Sequence, residues 1–201
     1  MHNLCKHVAN RLATNGWYVG ESIFSAGLSL RLAMRVRVLM DEHQLHVARV
    51  GRGDGVQRNA SLRSDETHWL TDTPEDASEF EATNTVQALR LHLNEALFLG
   101  AQGAELHFAR YAPGAFYRTH RDRFRDDDAR LVSLVFYLNE AWPNDVGGEL
   151  LLYADNDHDG VIARVRPQTG TMVCFMSERF PHEVLPATRE RYSLTGWLRR
   201  A

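Results

Sequence analysis

Two imidazoles and one carboxylate form a candidate ligand set: His120 and Asp122 in Thr119-His120-Arg121-Asp122, and His182 in Phe180-Pro181-His182-Glu183-Val184. Such a set can grip a non-haem ferrous ion on one side and leave adjacent coordination positions open. Side chains two apart on an extended segment share a face, so His120 and Asp122 can reach one ion. Arg191 follows shortly after His182. Its planar fork suits a carboxylate better than a lysine does. If the four converge, a chelating 2-oxo diacid has a partner for its far end. His-X-Asp alone is weak, because it arises easily by chance and the chain has 10 histidines. The residues around it carry the weight.

Thr195 lies on the Arg191 face of an extended strand and can add a hydroxyl. Tyr137, inside Leu134-Val135-Phe136-Tyr137-Leu138, is expected to turn its phenol inward, where a buried hydroxyl needs a partner. Arg189 competes for the arginine role but sits nearer the turn, so it ranks second.

Positioning these groups requires a sheet. From Ala104 onward, short strands are expected over 106–111, 131–138, 149–153, 161–165, 171–175, 182–185 and 192–198. Turn signals separate them: Pro113-Gly114, Pro143-Asn144-Asp145, Asp157-His158-Asp159-Gly160 and Gln168-Thr169-Gly170. Many short strands at hairpin spacing argue for a jelly roll.

Upstream the pattern is helical. Leu4, Val8 and Leu12 recur at helical spacing before Gly16, and Trp17-Tyr18-Val19 reads as a short strand. Ser25 is expected to cap a second helix with Leu28, Leu32, Val36 and Leu39 on one face. Asn84 is expected to cap a third, with Val86, Leu89, Leu93 and Leu97 inward and Gly100 ending it. Gly51-Arg52-Gly53-Asp54-Gly55 opens a stretch expected to be a mobile loop that returns to the body at Trp69, and the acidic run Asp72 to Glu81 reads as a solvated connection. The fold class is α+β: one domain over 1–201, with helical support and a loop in 1–103 and a double-stranded β-helix in 104–199. The helices pack on one outer sheet face.

Composition sets limits. The 201 residues are 44% hydrophobic and 24% charged, with a formal charge of -3. That gives no electrostatic reason to expect nucleic acid. Lys6 is the sole lysine among 23 basic residues. Cys5 and Cys174 offer no disulfide framework, and no signal peptide or membrane span is read from the sequence. A soluble, cytoplasmic protein is expected.

Six motifs then occur in fixed order: Arg110-Tyr111-Ala112-Pro113-Gly114; Tyr117-Arg118-Thr119-His120-Arg121-Asp122; Tyr137-Leu138-Asn139 with Trp142; Gly147-Gly148-Glu149-Leu150; Pro181-His182-Glu183-Val184; and Arg191-Tyr192-Ser193-Leu194-Thr195-Gly196-Trp197. This order closely resembles the iron and 2-oxoglutarate-dependent prolyl 4-hydroxylases, above all the branch of the animal oxygen-sensing enzymes and their compact bacterial relatives. The likeness covers most of 104–199. Upstream, Arg63-Ser64-Asp65 through Trp69 resembles that branch's substrate-covering loop.

The resemblance implies His120, Asp122 and His182 as ligands of Fe(II), and Arg191, Tyr137 and Thr195 as holders of the far carboxylate of 2-oxoglutarate. Tyr111 and Trp197 would line the cosubstrate pocket. It further implies dioxygen as co-reactant, ascorbate as reductant, and a proline-bearing protein as substrate, with an elongation factor or ribosomal protein favoured. Collagen-type enzymes generally carry lysine where this chain has Arg191, and Ala112 separates Tyr111 from Pro113-Gly114 where the animal sensors have tyrosine directly before Pro-Gly. Arg63, Asp65, Trp69 and Arg130 are expected to serve the covering loop, with Asp65 pairing Arg130 on closure. Alternatives are hydroxylation of another residue or a small molecule, a zinc hydrolase on the same ligands, and a non-catalytic sensor module.

Overall fold

The computed structural model describes residues 2–48, 59–122, 129–155 and 157–200. The glycine-rich stretch 51–55 lies outside them. Helix α1 (His2–Asn15) leads into strand β1 (Trp17–Glu21), helix α2 (Ala26–Asp41), strands β2 (His46–Val47) and β3 (Glu66–Trp69), and helix α3 (Ala77–Leu97). Eight strands follow: β4 (Gly103–Tyr111), β5 (Tyr117–His120), β6 (Arg130–Tyr137), β7 (Leu150–Ala154), β8 (Asp157–Val165), β9 (Thr171–Met176), β10 (His182–Val184) and β11 (Arg191–Arg199).

The strands form two antiparallel sheets, one ordered β1-β9-β6-β11-β4-β3-β2 and the other β5-β10-β7-β8. Strands β4 to β11 divide four and four between them, which is the jelly roll the turn spacing predicted.

Strand alternation assigns the two faces of the large sheet. Phe108, Leu134, Phe136, Cys174, Leu194 and Leu198 turn to the helices, where they pack with Val8, Leu12, Leu28, Leu32, Val36, Leu39, Val86, Leu89 and Leu93. Val135, Tyr137, Val173 and Phe175 turn the other way, onto Leu150, Leu152, Val165 and Phe180 of the second sheet or its approaches. The helices thus cover one face and leave the space between the sheets for a site.

Several expectations need correcting. Helix α3 starts at Ala77, not after Asn84: Asp76 is its N-cap, accepting from the backbone N–H of Ser78 and Glu79. The acidic run is therefore a helix start. Its Glu79 is buried and pairs with Arg35 of α2 at 2.6 Å. The C-cap is Phe98 in the left-handed conformation, two residues before Gly100. Residues 66–69, read as the end of a loop, are strand β3, paired with β4 from Glu66↔Arg110 to Trp69↔His107. Strand β8 begins at Asp157, where a turn was expected. The Ser25 cap stands, its hydroxyl accepting from Leu28 N at 3.1 Å. Among the described residues no helix is long and apolar enough to cross a membrane.

Candidate active site

Strands β5 and β10 lie side by side with His120 opposite His182, and β5 ends there. Asp122 sits two residues beyond, in a bend, so the His and Asp of His-X-Asp do not share a strand. The three side chains still meet: all ligand atoms lie within 4.8 Å of one another. His120 Nε2 is 3.5 Å from Asp122 Oδ1, and His182 Nε2 is 3.5 Å from Asp122 Oδ2. Donors about 2.1 Å from a common ion and cis to each other stand about 3 Å apart, so the spacing fits.

The tautomers fit too. His120 Nδ1 faces Arg118 O at 2.7 Å, and His182 Nδ1 faces Phe180 O at 3.2 Å. A carbonyl accepts only from a protonated nitrogen, which leaves each Nε2 lone pair free for a metal. Burial pushes His182 down to about 4, with the neighbouring His120 acting the same way. At Asp122 burial works to raise the carboxyl. Interactions with His182 and His120 and the Ser133 hydrogen bond outweigh it and hold the group ionised far below its usual range. A neutral His182 and an ionised Asp122 suit a ferrous ion.

A cavity of about 790 Å³ opens from this triad and is also lined by Tyr111, Ser193, Thr195, Trp197 and Arg191. Arg191 is 1% exposed, yet among the described residues no carboxylate pairs with it. Its Nε donates to Gly148 O at 3.0 Å, and its guanidinium carbon lies 4.8 Å from the Tyr111 ring centre and 5.3 Å from that of Tyr137. Gly148 makes this possible: its φ is +79°, and a Cβ there would come within 2.9 Å of both Trp142 and Ala187. Among the described residues the buried Tyr137 hydroxyl has no hydrogen-bond partner. Burial pushes its phenol up to about 12, against the pull of the Arg191 charge. A buried cation with no carboxylate partner among the described residues, beside a buried hydroxyl, fits the carboxylate of a diacid bound across the cavity. Arg189, by contrast, is exposed, donating to Ala141 O at 3.0 Å.

Residues 106–199 match the family model of the 2OG-Fe(II) oxygenase superfamily. A Pseudomonas putida prolyl-4-hydroxylase superposes with a TM-score of 0.87 at 42% identity, over 98% of this chain and 99% of that one. The chain belongs to the 2OG-Fe(II) oxygenase superfamily. Within it, a Trichoplax adhaerens prolyl hydroxylase, in complex with a hypoxia inducible factor oxygen degradation domain peptide fragment, gives a TM-score of 0.85 at 28% identity, covering 97% of this chain and 88% of that one. Egl nine homolog 1 of Rattus norvegicus is 35% identical over 86 residues, which is 42% of this chain but 25% of that protein. The chain therefore matches about a quarter of the length of that curated relative.

In this oxygenase the covering segment departs from the expectation. Asp65 is fully buried and pairs with Arg63, whose Nε donates to Oδ1 at 2.7 Å and Nη2 to Oδ2 at 2.5 Å. Arg130 instead pairs with Glu105 at 2.9 Å and lies 3.5 Å over the Trp197 ring. The Asp65–Arg130 pair is not formed, because each charge already has a nearer partner. Arg63 also stacks 4.2 Å over Tyr117, whose ring lies parallel to His120 at 3.5 Å. Trp69 is half exposed, tilted against His107 at 4.6 Å.

Sequence reasoning missed four contributors. Ser133 hydrogen-bonds Asp122, Ser193 lines the cavity beside Thr195, His107 is stacked on Trp197 at 5.4 Å, and Arg121 donates to Glu178 O at 2.8 Å and to Asp155 Oδ1 at 3.2 Å. For Ser193 the signal was present, since it lies between Arg191 and Thr195 on one strand face. The others depend on contacts between distant elements.

Proposed function

We propose that this chain is an Fe(II)- and 2-oxoglutarate-dependent prolyl 4-hydroxylase acting on a proline within a protein. The observation that carries the reading is the buried Arg191, without a carboxylate partner among the described residues, facing the same cavity as the His120–Asp122–His182 triad. The near full-length likeness to a prolyl-4-hydroxylase supports proline as the target.

Each residue then has a task. His120, Asp122 and His182 would hold the iron. The chemistry such an ion supplies when bound is dioxygen activation coupled to oxidative decarboxylation of 2-oxoglutarate to succinate. Arg191 receives the far carboxylate through its two terminal nitrogens, since Gly148 occupies Nε. Tyr137 donates its hydroxyl to the same group, its raised pKa keeping the proton in place at neutral pH. Thr195 and Ser193 offer hydroxyls, while Tyr111 and Trp197 wall the cosubstrate and exclude water. No further acid or base is required. Selectivity for one carbon comes from holding the substrate still, a task for the rim formed by Arg63, Trp69 and Arg130.

The two cysteines are buried and unpaired, which suits a reducing cytoplasm. A translation factor or ribosomal protein is the substrate class we favour. The decisive experiment incubates purified protein with ferrous iron, ascorbate, 2-oxoglutarate and proline-containing peptides, following succinate and hydroxyproline together. Coupled formation supports the reading. Succinate released with hydroxylation at a residue other than proline would replace the substrate class, and no succinate under any condition would sink the reaction. Proteomics of a host with and without the gene, scoring oxidised proline, then names the target.

A further inference from the structure

We infer that Arg121, the residue between the first two metal ligands, is the positioning residue that fixes Asp122 relative to His182. This rests on the metal-centre reading above and extends it to a side chain outside the ligand triad.

Strand β5 ends at His120, so ladder hydrogen bonds no longer hold the backbone where Asp122 must be placed. Something else has to hold that stretch. The Arg121 guanidinium reaches two segments at once. Nη1 donates to Glu178 O at 2.8 Å, to Arg179 O, and to Asp155 Oδ1 at 3.2 Å; Nη2 donates to Asp155 O. Residues 178 and 179 enter the turn that delivers His182. Asp155 follows β7, the strand that pairs Leu152 with His182. One planar cation thus ties the exit of β5 to both neighbours of the third ligand.

On its other side Asp122 is held by Ser133 Oγ at 2.6 Å. The carboxylate is pinned from the side-chain end by a hydroxyl and from the backbone end by the guanidinium next door. Arginine suits the task because a planar fork serves several acceptors in fixed directions, which an ammonium on a flexible stem does not.

The test is anaerobic titration with Co(II) alone, following its visible bands, on the full chain as wild type, Arg121→Met and Arg121→Lys. Arg35→Ala, which breaks the Arg35–Glu79 pair in the helix layer, serves as a control destabilised away from the site. Arg121→Met is expected to weaken Co(II) binding about 10- to 100-fold, the range for loss of an outer-shell partner, and to change the band pattern. Arg121→Lys should recover part of the affinity. Arg35→Ala should lower the melting temperature while leaving cobalt affinity and bands as in the wild type. Wild-type affinity and bands in Arg121→Met would overturn the inference. So would an equal loss of affinity in Arg35→Ala, because general destabilisation would then explain both. If Arg121→Met does not fold, Arg121→Lys decides: a loss of about threefold or more supports the role, and a smaller one overturns it. A wild type that takes up no Co(II) would sink the metal-centre reading, and this inference with it.

Discussion

The Ser133 hydroxyl donates to Asp122 Oδ2 at 2.6 Å, and Ser177 Oγ stands 2.9 Å from Ser133 Oγ. All three residues are buried, so the carboxylate is aimed by a short polar chain rooted in β6. Ser133→Ala is expected to lower affinity for Fe(II) or Co(II) about 10-fold or more with little change in the melting temperature of the metal-free protein. Metal titration beside a thermal melt checks this, and unchanged metal affinity would count against Ser133 as an aiming group.

Arg191 presents opposite demands on binding and stability. A buried cation with no ionic partner is costly, and the cost is recovered only when a carboxylate arrives. Arg191→Met should raise the KM for 2-oxoglutarate at least about 100-fold, in line with the loss of one member of a buried charge pair, while raising the melting temperature of the ligand-free protein. Arg191→Lys keeps the charge but not the fork and should fall between. Kinetics at varied 2-oxoglutarate, paired with calorimetry, separates the two effects.

Acid sensitivity is expected from His107. Burial, aided by the charges of Arg63 and Arg130, pushes this imidazole down to about 3, and among the described residues its buried Nδ1 has no partner. In the unfolded chain the group titrates near its ordinary value of about 6.5. Between those values the unfolded state binds the extra proton, so the neutral ring's contribution is complete above about pH 6.5 and is lost as pH falls toward 3. His107→Phe should flatten the acid limb of a stability-against-pH curve between about pH 6 and 4, and an unchanged limb would refute the assignment.

Asp65 depends on Arg63. Arg63→Ala leaves a fully buried carboxylate without its partner and is expected to cost about 3–5 kcal/mol. The double variant Arg63→Ala/Asp65→Ala should lose far less than the sum of the single ones. Arg130→Ala combined with Asp65→Ala should be close to additive. Strong coupling to Arg130 in urea melts would restore the pairing that the sequence suggested.

What was legible follows from how narrow each role is. Few residue types ligate iron, so His120, Asp122 and His182 could be named from type and spacing. The inward turn of Arg191 followed from two-residue alternation, but the outward turn of Arg189 did not, because it precedes the strand. Ser133 and Arg121 stayed hidden, since a serine in a strand and an arginine in a loop are ordinary until their partners are known. Those partners lie in residues 155 and 177–179, brought near only by tertiary pairing. Strand β3 was concealed by its polar makeup, Glu66-Thr67-His68-Trp69, which lacks the apolar alternation that marks a half-buried strand. The start of α3 was missed because the acidic run was judged by its charge, although Asp76-Ala77-Ser78-Glu79 carries the capping residue and the acidic first turn that open a helix.

Strand β11 serves two masters. Leu194 and Leu198 answer to the helices, while Arg191, Ser193, Thr195 and Trp197 face the cavity. A slip of one residue against β4 or β6 would drive a guanidinium into oil and turn leucine toward the cavity. Folding correctly and furnishing the cavity wall are therefore one requirement on this strand, and neither can drift in evolution without the other.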